Sequence, residues 1–189
     1  MHQGDFQRKF LEKSELNQYW YSRSTITAIR DELVQKRPQN VAFVSTPSLF
    51  FNVCDHIPDS HLFDLDKDFN ESTNGRFSEF DYRAMNISPM HRHKYDAVII
   101  DPPFITEDVI SAYIEVYLLL AKGSESLLLF TTIAENQGVI ARLLRTNISL
   151  APFLPCIPNL VYQYGIFTNY KIHPDSPLSR ANPEVIISE

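Results

Sequence analysis

The residues best suited to chemistry are Asp101-Pro102-Pro103-Phe104, which follow directly on the apolar run Ala97-Val98-Ile99-Ile100. Proline locks φ and carries no N–H, so two in succession make a stiff corner and leave the Pro102 carbonyl without a local donor. Asp101 sets a second oxygen acceptor beside it. Two acceptors at one point can hold an amine and aim its lone pair. Phe104 can cover the group so held, by stacking on a flat base or by cation–π contact with an alkylammonium. Asp-Pro-Pro alone is commonly only a turn; its position after a buried β-branched strand favours the chemical reading.

Three further clusters close apolar runs in the same way. Ser45-Thr46-Pro47 ends the run 41–44 and opens a helix, where free N–H groups and the helix dipole favour an anion such as an amino-acid carboxylate. Asp64, with Asp66 two residues on, can accept from ribose hydroxyls, and either acid fits. Phe80-Asp81-Tyr82 can stack on an adenine and accept from its amino group. Each would alone be a surface acid or a core aromatic. Their common place at one sheet edge is what raises the functional reading, because open α/β sheets bind ligands beyond the carboxyl ends of their strands.

The elements that must carry these groups follow from hydrophobic periodicity. Helices are predicted over 6–16 and 22–36, the second behind possible caps at Ser22 and Ser24. Strand 41–44 leads through the Ser45-to-Ser48 turn, with Ser45 or Thr46 able to cap and Pro47 at the first helical position, into helix 49–53. Strands 61–65, 76–81 and 97–100 come next, then helix 107–121, strand 126–132 and helix 134–145. Such alternation marks a parallel α/β sheet with right-handed crossovers. Residues 151–155 and 161–170 are strand-like with no helix between them, which predicts a terminal antiparallel hairpin, and 173–189, with three prolines, reads as an extended or mobile arm.

The 189 residues fall within the range of one domain, and 44% hydrophobic with 21% charged residues is ordinary for a globular protein. A single domain, 1–189, is expected, probing no membrane: neither a secretory leader nor an apolar run of about 20 residues is visible. A cytoplasmic monomer is the corresponding expectation. Cys54 and Cys156 have no paired spacing and read as reduced thiols near the core. His91 and His93, flanked by Arg92 and Lys94, read as solvated, so no metal is assigned. The net charge of −6, from 17 basic and 23 acidic residues, disfavours tight binding to a phosphate backbone and suits a basic protein partner. With five glycines, at 4, 75, 123, 138 and 165, no GxGxxG turn exists, which weakens a plain NAD-binding reading.

Taken together, these segments resemble the amino-methyltransferases with a (D/N)PP(Y/F) loop. Within them they resemble the translation elongation factor 1-alpha lysine methyltransferases, once labelled N6-adenine-specific DNA methyltransferases. The resemblance runs from about Leu16 to Tyr170 and is carried by 17–22 (NQYWYS) with Thr25, 41–49 (VAFVSTPSL), 63–69 (FDLDKDF), 80–82, 95–104 (YDAVIIDPPF) and 167–170 (FTNY). It implies a Rossmann-like, seven-stranded class I methyltransferase fold, a mostly parallel sheet with a C-terminal antiparallel hairpin and helices on both faces. It implies S-adenosyl-L-methionine as cofactor, with Trp20, Tyr21, Ser22 and Thr25 closing over it from the N-terminal region (1–36). Ser45, Thr46 and Pro47 would meet its methionine part, and Asp64 and Asp81 its ribose and adenine. The family replaces the glycine-rich turn with one like Ser-x-Pro-Ser. Phe104 stands where the elongation-factor group often has Tyr, and 84–93 have no counterpart in it. Three readings remain: methylation of a lysine in elongation factor 1-alpha, N6-methylation of adenine in DNA or RNA, or a catalytically silent binding module. The adenine reading would need a basic groove and room to capture a base, for which 189 residues leave little space.

Overall fold

The computed structural model describes residues 3–185, with side chains from residue 5. The first two residues and 186–189 of the expected C-terminal arm lie outside the described residues. Seven strands, β1 (Asn40–Val44), β2 (Asp59–Asp64), β3 (Phe77–Glu79), β4 (Ala97–Ile100), β5 (Leu127–Thr132), β6 (Ser149–Leu150) and β7 (Gly165–Thr168), form one sheet in the order β3-β2-β1-β4-β5-β7-β6. The first five run parallel, and β7 enters antiparallel between β5 and β6. Around them lie α1 (Gln3–Lys9), α2 (Arg23–Lys36), α3 (Pro47–Val53), α4 (Glu107–Leu120) and α5 (Gln137–Leu144).

The central strands are apolar through their middles, over 41–44, 97–100 and 127–130, because both faces are covered. Val41, Phe43, Ala97, Ile99 and Leu129 face the cluster that α2 and α3 complete, whereas Ala42, Val44, Val98, Ile100 and Phe130 face the α4 side. Each large side chain buried in this way contributes about 1.5–3 kcal/mol. α2 starts where Ser22 accepts from the Thr25 N–H and stops at Arg37, which is left-handed at φ 54° and precedes Pro38.

Several boundaries and two environments differ from the sequence expectation. The opening helix ends at Lys9, and Ser14–Leu16 form a separate 3-10 turn, because Phe6 and Phe10 turn inward to pack with Trp20, Phe51 and Phe69. The third strand is only three residues long and ends before Phe80. The antiparallel hairpin exists, but its first strand is 149–150 and not 151–155, and residues 151–164 form a long irregular connection. The described part of the C-terminal arm is docked and not loose. Leu178 is fully buried, Ser176 donates to the buried Glu32 carboxylate at 2.5 Å, and Asn182 donates to the Leu154 carbonyl at 2.9 Å.

His91 is buried and not solvated: its Nδ1 meets the Tyr95 hydroxyl at 2.8 Å, and its ring lies 4.3 Å from that of His61. Both imidazole Nε2 atoms converge on Ser78 Oγ, at 2.9 Å from His61 and 3.3 Å from His91. Burial lowers the pKa of both histidines, that of His61 to about 4. Cys54 and Cys156 are free thiols, the first buried and the second half-buried. Among the described residues, no helix is long and apolar enough to cross a membrane.

Candidate active site

Strand register places the site. Phe63, Val44, Ile100 and Phe130 form one row across β2, β1, β4 and β5. The next residue on each strand is polar: Asp64, Ser45, Asp101 and Thr131. Since these strands are parallel, all four groups emerge along one edge, under a cavity roofed by residues 15–21 and by Ile157, Leu160 and Tyr164 of the irregular connection. The cavity wall includes Asp64, Phe80, Asp81, Tyr82 and the whole Asp101-to-Phe104 corner.

At the corner, Asp101 Oδ1 accepts from the Thr131 hydroxyl at 2.7 Å, and the Tyr21 hydroxyl lies 2.7 Å from Thr131 Oγ1. Burial raises the Asp101 pKa to about 7, against the lowering effect of hydrogen bonds from Thr131 and Tyr21. The loop beyond is held from two sides: Asn17 Nδ2 donates to the Pro103 carbonyl, and Asn136 Nδ2 donates to that of Ile105 at 2.9 Å. Neither bond engages the Pro102 carbonyl. Phe104 is 42% exposed at the cavity mouth, placed to close over an incoming group.

At the other end, Asp64 is buried, and its Oδ1 accepts from the Asp66 N–H at 2.9 Å. Desolvation raises its pKa to about 7; hydrogen bonds from the Asp66 and Leu65 N–H groups oppose the shift. Ser45 is in the left-handed region at φ 55°, where a glycine turn would ordinarily sit, and its hydroxyl lies 2.7 Å from that of Tyr113. Pro47 takes the first helical position as expected, but neither Ser45 nor Thr46 caps the helix through its side chain. Thr46 Oγ1 and Gln18 Oε1 are buried without any partner, and both residues line the cavity. Buried polar atoms in native proteins are nearly always satisfied, so these two oxygens are candidates to meet a ligand's polar groups. Tyr113 supports the aromatic wall, with Phe80 edge-on to it at 5.8 Å and Tyr82 tilted at 5.9 Å. The Asp81 carboxylate accepts from the Arg83 N–H at 2.9 Å, which fixes it at the rim.

Not every expected residue reaches the cavity. Asp66 turns back to cap residue 68 through its N–H and pairs with Lys13 at 2.8 Å, so Asp64 is the acid at the cavity and Asp66 a support. Ser22 caps α2 by accepting from the Thr25 N–H, and the two hold the backbone of Cys156, whose carbonyl accepts from the Ser22 N–H and whose N–H donates to Thr25 Oγ1, each at 2.8 Å. They lie off the cavity because the chain has already turned into the helix. Trp20 reaches the cavity wall, but its Nε1 donates to the Phe10 carbonyl at 3.0 Å within the aromatic core. Tyr21 does line the cavity, and its hydroxyl meets Thr131 beside Asp101. Sequence reasoning missed Thr131, Tyr113, Tyr164, Asn17 and Gln18 as site residues. Of these, Asn17 and Gln18 had a visible signal, standing in the 17–22 segment beside Trp20 and Tyr21.

The chain as a whole is similar to known proteins. Residues 12–172 match the family described as "Probable N6-adenine methyltransferase". The chain belongs to that family. Relatives of this N6-adenine methyltransferase family member include the protein-lysine N-methyltransferase CG9154 of Drosophila melanogaster, 29% identical over 62% of this chain and 57% of that protein. Another is the protein-lysine N-methyltransferase EFM5 of Saccharomyces cerevisiae, 35% identical over 55% of this chain and 49% of that protein. EEF1A lysine methyltransferase 1 of Bos taurus is 28% identical over 89% of this chain and 75% of its own length. The match thus spans about half the length of the first two relatives. Among solved structures, the branched-chain polyamine synthase of Thermus thermophilus superposes with a TM-score of 0.69 at 9% identity, over 92% of this chain and 66% of that one. The N-methyltransferase NodS of Bradyrhizobium japonicum gives 0.55 at 11%, over 89% and 98%. At such identities the likeness is one of fold, and the family member has the expected Rossmann-like class I methyltransferase architecture.

Proposed function

We propose that the chain is an S-adenosylmethionine-dependent N-methyltransferase that acts on a lysine of translation elongation factor 1-alpha, as a monomeric single domain in the cytoplasm. The observation that carries this reading is one cavity with two chemically distinct ends. At one end Asp64 and the partnerless Thr46 and Gln18 oxygens suit the ribose and methionine parts of the cofactor. At the other end the Asp101 carboxylate and the Pro102 carbonyl suit an amine. S-adenosylmethionine, held by Asp64, Thr46 and Gln18, would supply an electrophilic methyl group carried on a sulfonium. The protein's own part is to hold that nitrogen in line and exclude water, a proximity effect. A lysine ammonium must first give up a proton, and Asp101, with its pKa pushed up to about 7, is suited to accept one near neutral pH. Asp101 and the Pro102 carbonyl then hold the amine's remaining hydrogens while Phe104 covers the aliphatic stem.

The names of the Drosophila, yeast and bovine relatives support a lysine target, as does the net charge of −6. The family's own description keeps adenine as the rival target. The test is transfer of labelled methyl from S-adenosylmethionine to purified elongation factor 1-alpha and, in parallel, to DNA and RNA. Label in the protein supports the proposal, label in nucleic acid replaces it with the rival, and label in neither, despite cofactor binding, leaves a silent module. Asp101→Ala should abolish transfer while cofactor affinity stays within a few-fold; near-normal turnover would remove Asp101 from the mechanism.

A further inference from the structure

Thr131 is reached by no motif, yet register sets it beside the catalytic corner. β4 and β5 pair in parallel with Ile100 opposite Phe130, so the residues that leave the row together are Asp101 and Thr131. Thr131 is buried, with its Oγ1 at 2.7 Å from Asp101 Oδ1 and 3.2 Å from the Ile100 carbonyl. An ionised carboxylate and a carbonyl both only accept, and Asp101 is the nearer of the two acceptors, so the Thr131 proton goes to Asp101. Thr131 Oγ1 is then left to accept, and the Tyr21 hydroxyl stands 2.7 Å away to donate. Tyr21, from the cavity roof, thus backs the Thr131 hydroxyl that holds the Asp101 carboxylate.

We infer that Thr131 is a positioning residue that, together with Tyr21, orients the Asp101 carboxylate and sets the pH at which it ionises. This rests on the amine-methylating reading given above. The other ionisable groups facing Asp101 are the phenols of Tyr113 on α4 and Tyr164 before β7, both pushed up by burial and by Asp101 itself. Among the described residues no cation figures in the balance at Asp101, which leaves the two hydroxyls as what favours its charged form. A hydrogen bond to a charged group is strong enough that losing one raises a carboxylate's titration midpoint by about one to two pH units.

Thr131→Val removes the donor at nearly constant volume, and Thr131→Ser keeps it. The decisive measurement is a carbon-13 carboxyl titration of the aspartate-labelled full chain, with the Asp101 signal assigned by its loss in Asp101→Asn. The Asp101 midpoint should rise by about one unit or more in Thr131→Val and return to the parent value in Thr131→Ser. The acidic limb of the kcat profile for methyl transfer should move the same way, with little change in cofactor KM. An unmoved midpoint in Thr131→Val, or a Ser variant that behaves like Val, overturns the assignment. Because the titration needs no turnover, a parent protein without activity on any substrate would count against the proposed function while the midpoints still decide the role of Thr131.

Discussion

Replacing Asp64 with asparagine should make the free protein more stable and worse at holding a nucleoside. Asp64 is 6% exposed, and burial moves its pKa from 3.8 to about 7, a rise of about 3 units. At about 1.36 kcal/mol per unit, that amounts to about 4 kcal/mol at most. A carboxyl whose folded pKa is raised binds more protons folded than unfolded between those two values. Its contribution therefore falls as pH rises from about 4 to about 7, and above that window the whole cost is present. Asparagine keeps a carbonyl to accept from the Asp66 and Leu65 N–H groups and removes the charge. Denaturant melts without cofactor should find Asp64→Asn equal to the parent near pH 4 and about 2–4 kcal/mol more stable at pH 8. The difference between the two proteins is the quantity to read, since His61 slopes the other way. Its pKa is lowered to about 4, so its contribution is complete above 6.5 and is lost as pH falls toward 4. Calorimetry with S-adenosylmethionine should give the variant about 10–100-fold weaker binding, through loss of a charged acceptor for a hydroxyl. A variant less stable than its parent at pH 8, or a stability gap that does not change with pH, would refute the reasoning.

Asp66→Asn should weaken cofactor binding far less than Asp64→Asn, because the Asp66 carboxylate faces Lys13 and the residue 68 N–H; equal losses in a titration would contradict that placement. Leu178→Ala, at a fully buried position beneath α2, should cost about 2–4 kcal/mol in a denaturant melt, whereas a freely moving arm would give no change. Replacing His61 with Gln should reduce the loss of stability between pH 6.5 and 4.5, because a buried imidazole that resists protonation is removed; an unchanged acid limb would exclude His61 as its source.

The parallel core was legible because burial on both faces leaves strands such as Ala97-Val98-Ile99-Ile100 and Leu127–Thr132 with no polar interruption until the ligand edge. For the same reason Asp64 and the Asp101 corner could be picked out: a polar group that stops such a run has few structural uses. What the sequence hid was set by contacts between distant residues. Asp64 and Asp66 have the same charge, two places apart, and only the Lys13 ammonium 53 residues upstream separates their roles. His91 sits among charged neighbours in sequence, yet packs on Phe63 and Tyr95 in space. Thr131 looks like any β-branched residue of a buried strand until register sets it against Asp101. The C-terminal segment has no periodicity because it is secured by single residues, Ser176, Leu178 and Asn182.

The turn after β1 has a consequence for how such proteins are recognised. A serine held at φ 55° costs about 1 kcal/mol that glycine would not, and the bond to the Tyr113 phenol is of the size needed to offset it. The bend is thereby fastened to a helix on the far side of the sheet, with the two partners 68 positions apart. A scan keyed to glycines would pass this chain by. A better signature pairs a hydroxyl residue at the bend after β1 with a phenol on the helix that follows β4, and the two should be exchanged together when the bend is redesigned.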